Sequence, residues 1–309
     1  MARKDFSKVK KLKTIRMSSI IERKGIILAG GHGSRLYPMT KSVPKSLLAI
    51  YDKPMIYYPI STLMQGHIRE FLIISSPENK SLYESLLGNG EDWGISIEYA
   101  IQENPEGIAQ AFIIAEEYIH DKLSVLILGD NIFHSKNLGS NLYDANNRND
   151  GATVFAYEVT DPSEFGVVDI DSTGRAVSLE EKPKNPKSNF AVTGLYYYDQ
   201  NVVEIAKTLK PSERGELEIT DLNKAYMLDD KLHVEIMDQN LLWIDTGTEK
   251  SLMSASKIFE NIEEKENKKT ACPEEIAWRM GYISSEELHK LSETMTNSSY
   301  GQYLNGLIK

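Results

Sequence analysis

Residues 25–40 read GIILAGGHGSRLYPMT, an apolar run that breaks into Gly30, Gly31 and Gly33 and then a hydroxyl, an arginine and a proline. A short apolar run bounded by glycine reads as a buried strand. Glycine allows φ > 0 and has no Cβ, so the turn that follows is suited to bringing backbone N–H groups against an anion. Phosphate is the first candidate, and spacing tests the two better-known phosphate loops. A P-loop needs G-x-x-x-x-G-K-[ST], but Arg35 stands five residues after Gly30 and no Lys-Ser pair follows at the required position. The dinucleotide fingerprint G-x-G-x-x-G is met at Gly31 and Gly33 but fails at Leu36, and Pro38 and Pro44 occupy the segment where its helix should start. Standing alone, such a loop is also an ordinary strand-to-loop turn.

The composition narrows what lies around it. With 309 residues, 41% hydrophobic and 26% charged, the chain can bury a sizeable core in one large domain or two modest ones. No apolar run approaches the roughly 20 residues of a membrane span, and MARKDFSKVKKLKTIRMSSI has no signal-peptide core. The single cysteine, Cys272, cannot form an internal disulfide, which excludes zinc-cluster and dithiol chemistry and fits a cytoplasmic location. The net charge of −10 hides a basic arm. Arg3, Lys4, Lys8, Lys10, Lys11, Lys13, Arg16, Arg23 and Lys24 face only Asp5 and Glu22, so the remaining body is strongly acidic. Such a body does not suit nucleic acid, which rewards a basic face. The arm reads as a solvated tail, or as sequence upstream of a start at Met17, and receives no function.

Beyond the arm, strand-length apolar runs alternate with helical patterns. GIILA, FLIISS, ISIEYA and SVLILGD read as buried parallel strands, and PMIYYPISTLMQG, SLYESLLG and GIAQAFIIAEEYI as the helices between them. After about residue 150 the strands crowd together: ATVFAYEV, FGVVDID, AVSLEEK, AVTGLYYYD, HVEIMD and LLWID. The expected fold is α/β, a doubly wound, Rossmann-like sheet that becomes mixed in its second half, with a small C-terminal helical unit. KSLMSASKIFENIEE reads as a helix, EEKENKKT as a solvated helix end or linker, and PEEIAWRMGYI as a last helix with Pro273 in its first turn.

In open α/β sheets ligands sit beyond the carboxyl ends of the strands. SVLIL runs into Gly129-Asp130-Asn131 and LLWI into Asp245-Thr246-Gly247. Two such aspartates suit Mg²⁺, which takes one or two carboxylates and completes its shell with phosphate oxygens and water. Either alone is also a common turn residue. Arg35 and Lys45 add fixed positive charge near the loop, as phosphoryl or nucleotidyl transfer requires. The chain shows no Ser-His-Asp order and no H-E-x-x-H. An attacking phosphate monoester needs neither, since its second pKa of about 6 leaves it largely a dianion at neutral pH.

Taken together, ILAGGHGSRLYPMT, YDKPMIYYPISTLMQGHIREFLIIS, GDNIF, VVDID, SLEEKP, AVTGLYYYD, RGELEITDLN and WIDTGT resemble the glucose-1-phosphate thymidylyltransferases, the short-chain type among the sugar-nucleotide pyrophosphorylases. The resemblance spans about residues 24–285. It implies an Mg²⁺-dependent conversion of dTTP and α-D-glucose 1-phosphate to dTDP-glucose and pyrophosphate, early in dTDP-rhamnose-type deoxysugar synthesis, by a cytoplasmic homotetramer. It also implies a nucleotidyltransferase domain at 24–262, divided into a nucleotide half (about 24–150) and a sugar-phosphate half (about 151–248). The arm takes 1–23 and a C-terminal helical region 263–309.

The resemblance further implies roles. Leu28, Gly30, Gly31, Gly33 and Ser34 would cradle the triphosphate, Arg35 would hold the departing pyrophosphate, and Lys45 would bridge both substrates' phosphates. Asp130 and Asp245 would bind the metal, and Gln102 and Gly107 would face the base. Asn131, Gly166, Glu181, Lys182, Val192, Tyr196 and Trp243 would line the sugar site. Departures from the family pattern are Ser34 for threonine, Ser46 for glutamine, and Ser135 for a glycine near a second, regulatory nucleotide site to which Glu275 and Arg279 would belong. A UTP- or amino-sugar-using pyrophosphorylase keeps the same chemistry. A non-catalytic regulatory subunit would be expected to lose Arg35 or a metal aspartate, and this chain keeps both.

Overall fold

The computed structural model describes residues 21–31 and 33–309; the sequence readings that fall on residues 1–20 and on His32 lie outside them. In chain order the strands are β1 (Lys24–Leu28), β2 (Ala49–Ile50), β3 (Lys53–Pro54), β4 (Glu70–Ser75), β5 (Ser96–Ile101), β6 (Ser124–Leu128), β7 (Asn131–His134), β8 (Ala152–Glu158), β9 (Gly166–Ile170), β10 (Ala176–Glu181), β11 (Phe190–Tyr198), β12 (Leu232–Ile236) and β13 (Leu242–Asp245). The helices are α1 (Tyr57–Gln65), α2 (Lys80–Leu87), α3 (Gln110–Ile114), α4 (Glu116–Ile119), α5 (Leu138–Asn146), α6 (Val202–Thr208), α7 (Ile219–Leu228), α8 (Glu249–Glu266), α9 (Pro273–Met280), α10 (Ser285–Glu293) and α11 (Ser299–Leu307).

The fold is the doubly wound, mixed sheet expected. The main sheet runs β10-β9-β11-β6-β1-β4-β5, with β8 beside β11 and β12 beside β8. β6, β1, β4 and β5 are parallel, whereas β11 turns antiparallel against β6 and begins the mixed half. Side chains alternate across this sheet because a strand has a period of two. Ile27, Phe71, Ile73, Val125 and Ile127 enter one core, while Ile26, Leu72, Ile74 and Leu126 enter the other. The run Tyr196-Tyr197-Tyr198 divides in the same way. Both faces are therefore covered, as parallel strands with continuous apolar runs require.

Parallel register also places the site. Leu28 pairs with Leu128, so β1 and β6 deliver the glycine loop and Gly129-Asp130 to one edge of the sheet. The Gly129 N–H donates to the Leu28 carbonyl over 2.9 Å, joining the two strand ends.

Four sequence expectations are corrected. The arm does not extend to residue 23: Arg23 is 6% exposed, and its guanidinium donates to the carbonyls of Asn146 (3.1 Å), Ser124 (3.3 Å) and Tyr198 (2.9 Å). LLWID is not a strand of the main sheet; β13 pairs with β7 in a separate antiparallel ribbon. The pattern GIAQAFIIAEEYI is divided at Ala115, whose ψ of 7° ends α3. EEKENKKT is not simply solvated, because Glu263 is buried and accepts from Lys53 Nζ (2.8 Å), Lys269 Nζ (2.9 Å) and Thr270 N and Oγ1 (2.8 and 2.7 Å). These partners tie the end of α8 to the β2–β3 turn, across more than 200 residues that no local pattern connects.

Candidate active site

Gly33 opens the loop's exit. At φ +59° it adopts the left-handed conformation, caps the 3₁₀ turn Ser34–Leu36 and accepts the Thr40 hydroxyl over 2.7 Å. Gly30 answers a different demand, since a Cβ there would lie 2.3 Å from Gln102 Oε1. Leu28, Gly31, Gly33, Ser34, Arg35, Lys45, Ser46, Asp130 and Asp245 line a cleft of about 460 Å³ at the sheet edge. A second cavity of about 610 Å³ adjoins it, with Arg35, Glu216, Asp245 and Gly247 on both walls. Asn131, Gly166, Glu181, Lys182, Val192, Tyr196 and Trp243, all assigned to the sugar side, line this second cavity together.

The carboxylates sit at the junction. Asp130 follows β6, and the ribbon register places Asp245 opposite Asn131, one residue from Asp130. Lys45 Nζ bonds Asp130 Oδ2 at 2.5 Å. Asn131 Nδ2 donates to Asp130 Oδ1 (3.0 Å), while Asn131 Oδ1 accepts from Trp243 Nε1 (2.7 Å) and Gly194 N (3.0 Å). A Cβ on Gly194 would meet Asn131 Oδ1 at 2.7 Å, so only glycine leaves room for this clamp. Burial raises the Asp245 carboxyl to about 6, and the Asp130 charge pushes the same way against Lys45 and Arg35. Two hard carboxylates that repel one another in a buried place fit a divalent cation. Among the described residues no third His, Cys, Asp or Glu joins them.

Sugar-side residues are held on several elements. Glu181, ending β10, accepts from the Thr220 hydroxyl over 2.6 Å and from Arg214 Nη2 over 3.4 Å. Lys182 stands in the left-handed region at φ +41°, fixed by its N–H to the Phe165 carbonyl (3.0 Å). Among the described residues neither Lys182 nor Arg35 makes an ion pair, so both cations on the cavity walls keep charge to offer an anion. Trp243 packs between Phe165 and Tyr157 (ring centroids 5.2 and 5.7 Å apart). Tyr196 is 4% exposed, and its phenol is pushed far above its usual pKa by burial.

Other assignments land elsewhere. Gln102 and Gly107 line neither cavity: Gln102 is buried behind the loop, and its Nε2 donates to Gln110 Oε1 (2.6 Å) and the Gly107 carbonyl (3.5 Å). Ser135 borders a separate cavity of about 390 Å³ with Lys136, Asn141 and Asp238. Glu275 and Arg279 do not line it; Arg279 Nε donates to Glu275 Oε1 over 2.6 Å, and Tyr303 donates to Glu275 as well. Sequence reasoning missed Arg214, Glu216, Glu218 and Thr220, which reach the second cavity from the segment before α7 and its first turn. The dense charges of SERGELE were the available signal.

The chain matches the nucleotidyl transferase family over residues 24–262. It is 54% identical to a glucose-1-phosphate thymidylyltransferase from Neisseria meningitidis serogroup A, covering 93% of this chain and 99% of the relative. It is 50% identical to the enzyme of that name from Xanthomonas campestris pv. campestris strain B100, covering 93% and 98%. A solved Bacillus anthracis structure, provisionally described as a glucose-1-phosphate thymidylyltransferase in complex with sucrose, superposes with a TM-score of 0.71. It is 43% identical over 76% of this chain and 94% of that one.

Proposed function

The chain belongs to the nucleotidyl transferase family and, within it, to the glucose-1-phosphate thymidylyltransferases, and from that premise we propose how its two cavities divide the reaction. The activity is transfer of a thymidylyl group from dTTP to glucose 1-phosphate, releasing pyrophosphate. In this reading dTTP enters the cleft lined by the glycine loop, and glucose 1-phosphate enters the cavity lined by Glu181, Lys182 and Trp243. The observation that carries it is their junction: Arg35, Glu216, Asp245 and Gly247 belong to both walls, so the α-phosphorus and the attacking phosphate can meet there.

Asp130 and Asp245 would hold Mg²⁺, which when bound supplies positive charge beside the reacting phosphates. Lys45, bonded to Asp130, places a further cation against the same phosphates. Arg35, exposed at the loop's exit, is placed to meet charge growing on pyrophosphate. Lys182 draws the sugar phosphate into line. No side chain is required as a nucleophile, because the substrate dianion attacks directly. The product would feed deoxysugar synthesis of the dTDP-rhamnose type, in a cytoplasmic homotetramer, as the family resemblance suggests.

Stereochemistry tests the direct attack. With dTTP carrying sulfur at a chiral α-phosphorus, one in-line displacement inverts the configuration in the thio-analogue of dTDP-glucose. Net retention would demand a covalent enzyme intermediate and contradict this path.

A further inference from the structure

Thr246 follows Asp245, is fully buried and lines neither cavity. Its N–H donates to the Asp130 carbonyl over 3.3 Å, and its hydroxyl donates to the same oxygen over 2.9 Å. The hydroxyl has one proton, and the carbonyl takes it; Met55 Sδ, 3.2 Å from Oγ1, is then a packing neighbour. The β7–β13 ladder ends at the pair Asn131 and Asp245, so Asp130 lies one residue beyond its last rung. Asn131 steadies the Asp130 carboxylate, while Thr246 steadies the peptide from which that carboxylate hangs.

We propose that Thr246 is a positioning residue that sets the spacing of the Asp130 and Asp245 carboxylates for one divalent cation, by bonding the residue after one aspartate to the carbonyl of the other. The inference rests on the reading of those aspartates as cation ligands. Thr246 touches no ligand itself and acts through the two side chains it brings to register. Functional groups need holding to within about 0.5 Å, and removing a partner behind a metal ligand commonly weakens metal affinity by roughly 10–100-fold.

The test titrates Mn²⁺ into protein saturated with dTDP-glucose and follows free Mn²⁺ by electron paramagnetic resonance. Thr246→Val keeps the shape and the backbone N–H but loses the hydroxyl, and Thr246→Ser restores the hydroxyl. Mn²⁺ affinity should fall by roughly 10–100-fold in Thr246→Val and stay within about threefold of the parent in Thr246→Ser, with circular dichroism unchanged in both. Parent-like affinity in folded Thr246→Val would overturn the proposal. So would a Thr246→Ser as weak as Thr246→Val, since packing on Met55 would then be the cause. Should Thr246→Val not fold, Thr246→Cys, with its weaker donor, should show reduced affinity, and parent-like binding there overturns the proposal equally. An Asp245→Asn variant that binds Mn²⁺ like the parent would instead remove the cation reading, and this inference with it.

Discussion

Burial and Asp130 both resist the charge of Asp245, while Lys45 and Arg35 relieve it. Asp130→Asn and Asp245→Asn should each lower kcat by roughly 10²-fold or more while leaving the circular dichroism spectrum intact. Normal Mg²⁺-dependent turnover in both variants would remove the cation assignment. Arg35→Ala should reduce kcat by roughly 10²-fold with little change in the KM for glucose 1-phosphate, because contacts made only in the transition state appear in kcat. A loss confined to that KM would move Arg35 to the acceptor side. These residues were legible in sequence because each sits beside a strand end or the glycine loop. Arg214 and Glu216 were not, since they lie on a connection whose path depends on the finished fold. Gln102 is a different case: its place beside the loop was legible, whereas the bonds of its Nε2 to Gln110 and the Gly107 carbonyl are made only by the finished fold.

At the scale of elements, the β7–β13 ribbon is the unit that converts two distant strand ends into one site. The first-half strands and helices were readable from apolar periodicity, because each obeys a period of two or 3.6 within its own segment. The ribbon was not, since LLWID looks the same whether it joins a large sheet or pairs with NIFH alone. The C-terminal helices show the same limit. Glu274 at the start of α9 suits a helix N-terminus, yet it is 3% exposed, accepts from Tyr300 over 2.7 Å, and has its carboxyl pKa raised by burial. The fold thus keeps a proton that the unfolded chain releases. Its contribution to stability is fully present below the unfolded pKa and is lost as pH rises through the folded value. Glu274→Gln keeps an acceptor and cannot titrate. As pH falls from about 8 toward the unfolded glutamate value of about 4.3, the melting temperature of the parent relative to the variant should therefore rise. A constant difference across that range would contradict the assignment.

For the whole molecule, one sheet with a core on each face brings the glycine loop, Asp130 and the wall of the second cavity to a single edge, where the β7–β13 ribbon adds Asp245. Arg23, just ahead of β1, belongs to this arrangement: its guanidinium joins β6 and β11 to α5 through their carbonyls. Deleting residues 1–17 should leave kcat and KM unchanged, whereas Arg23→Ala, which orphans several buried carbonyls, should cost about 3 kcal/mol of stability. A truncation that folds but loses most activity would place the arm in the site. The central claim is that the two joined cavities accept a thymidine triphosphate on one side and glucose 1-phosphate on the other. Pyrophosphate release across a matrix of nucleoside triphosphates and sugar 1-phosphates tests it most directly. The expected maximum of kcat/KM is dTTP with glucose 1-phosphate. UTP should follow within roughly 10–200-fold, because a single methyl group separates the bases. A maximum with a different sugar phosphate, or no pyrophosphate from dTTP and glucose 1-phosphate with Mg²⁺ present, would contradict it.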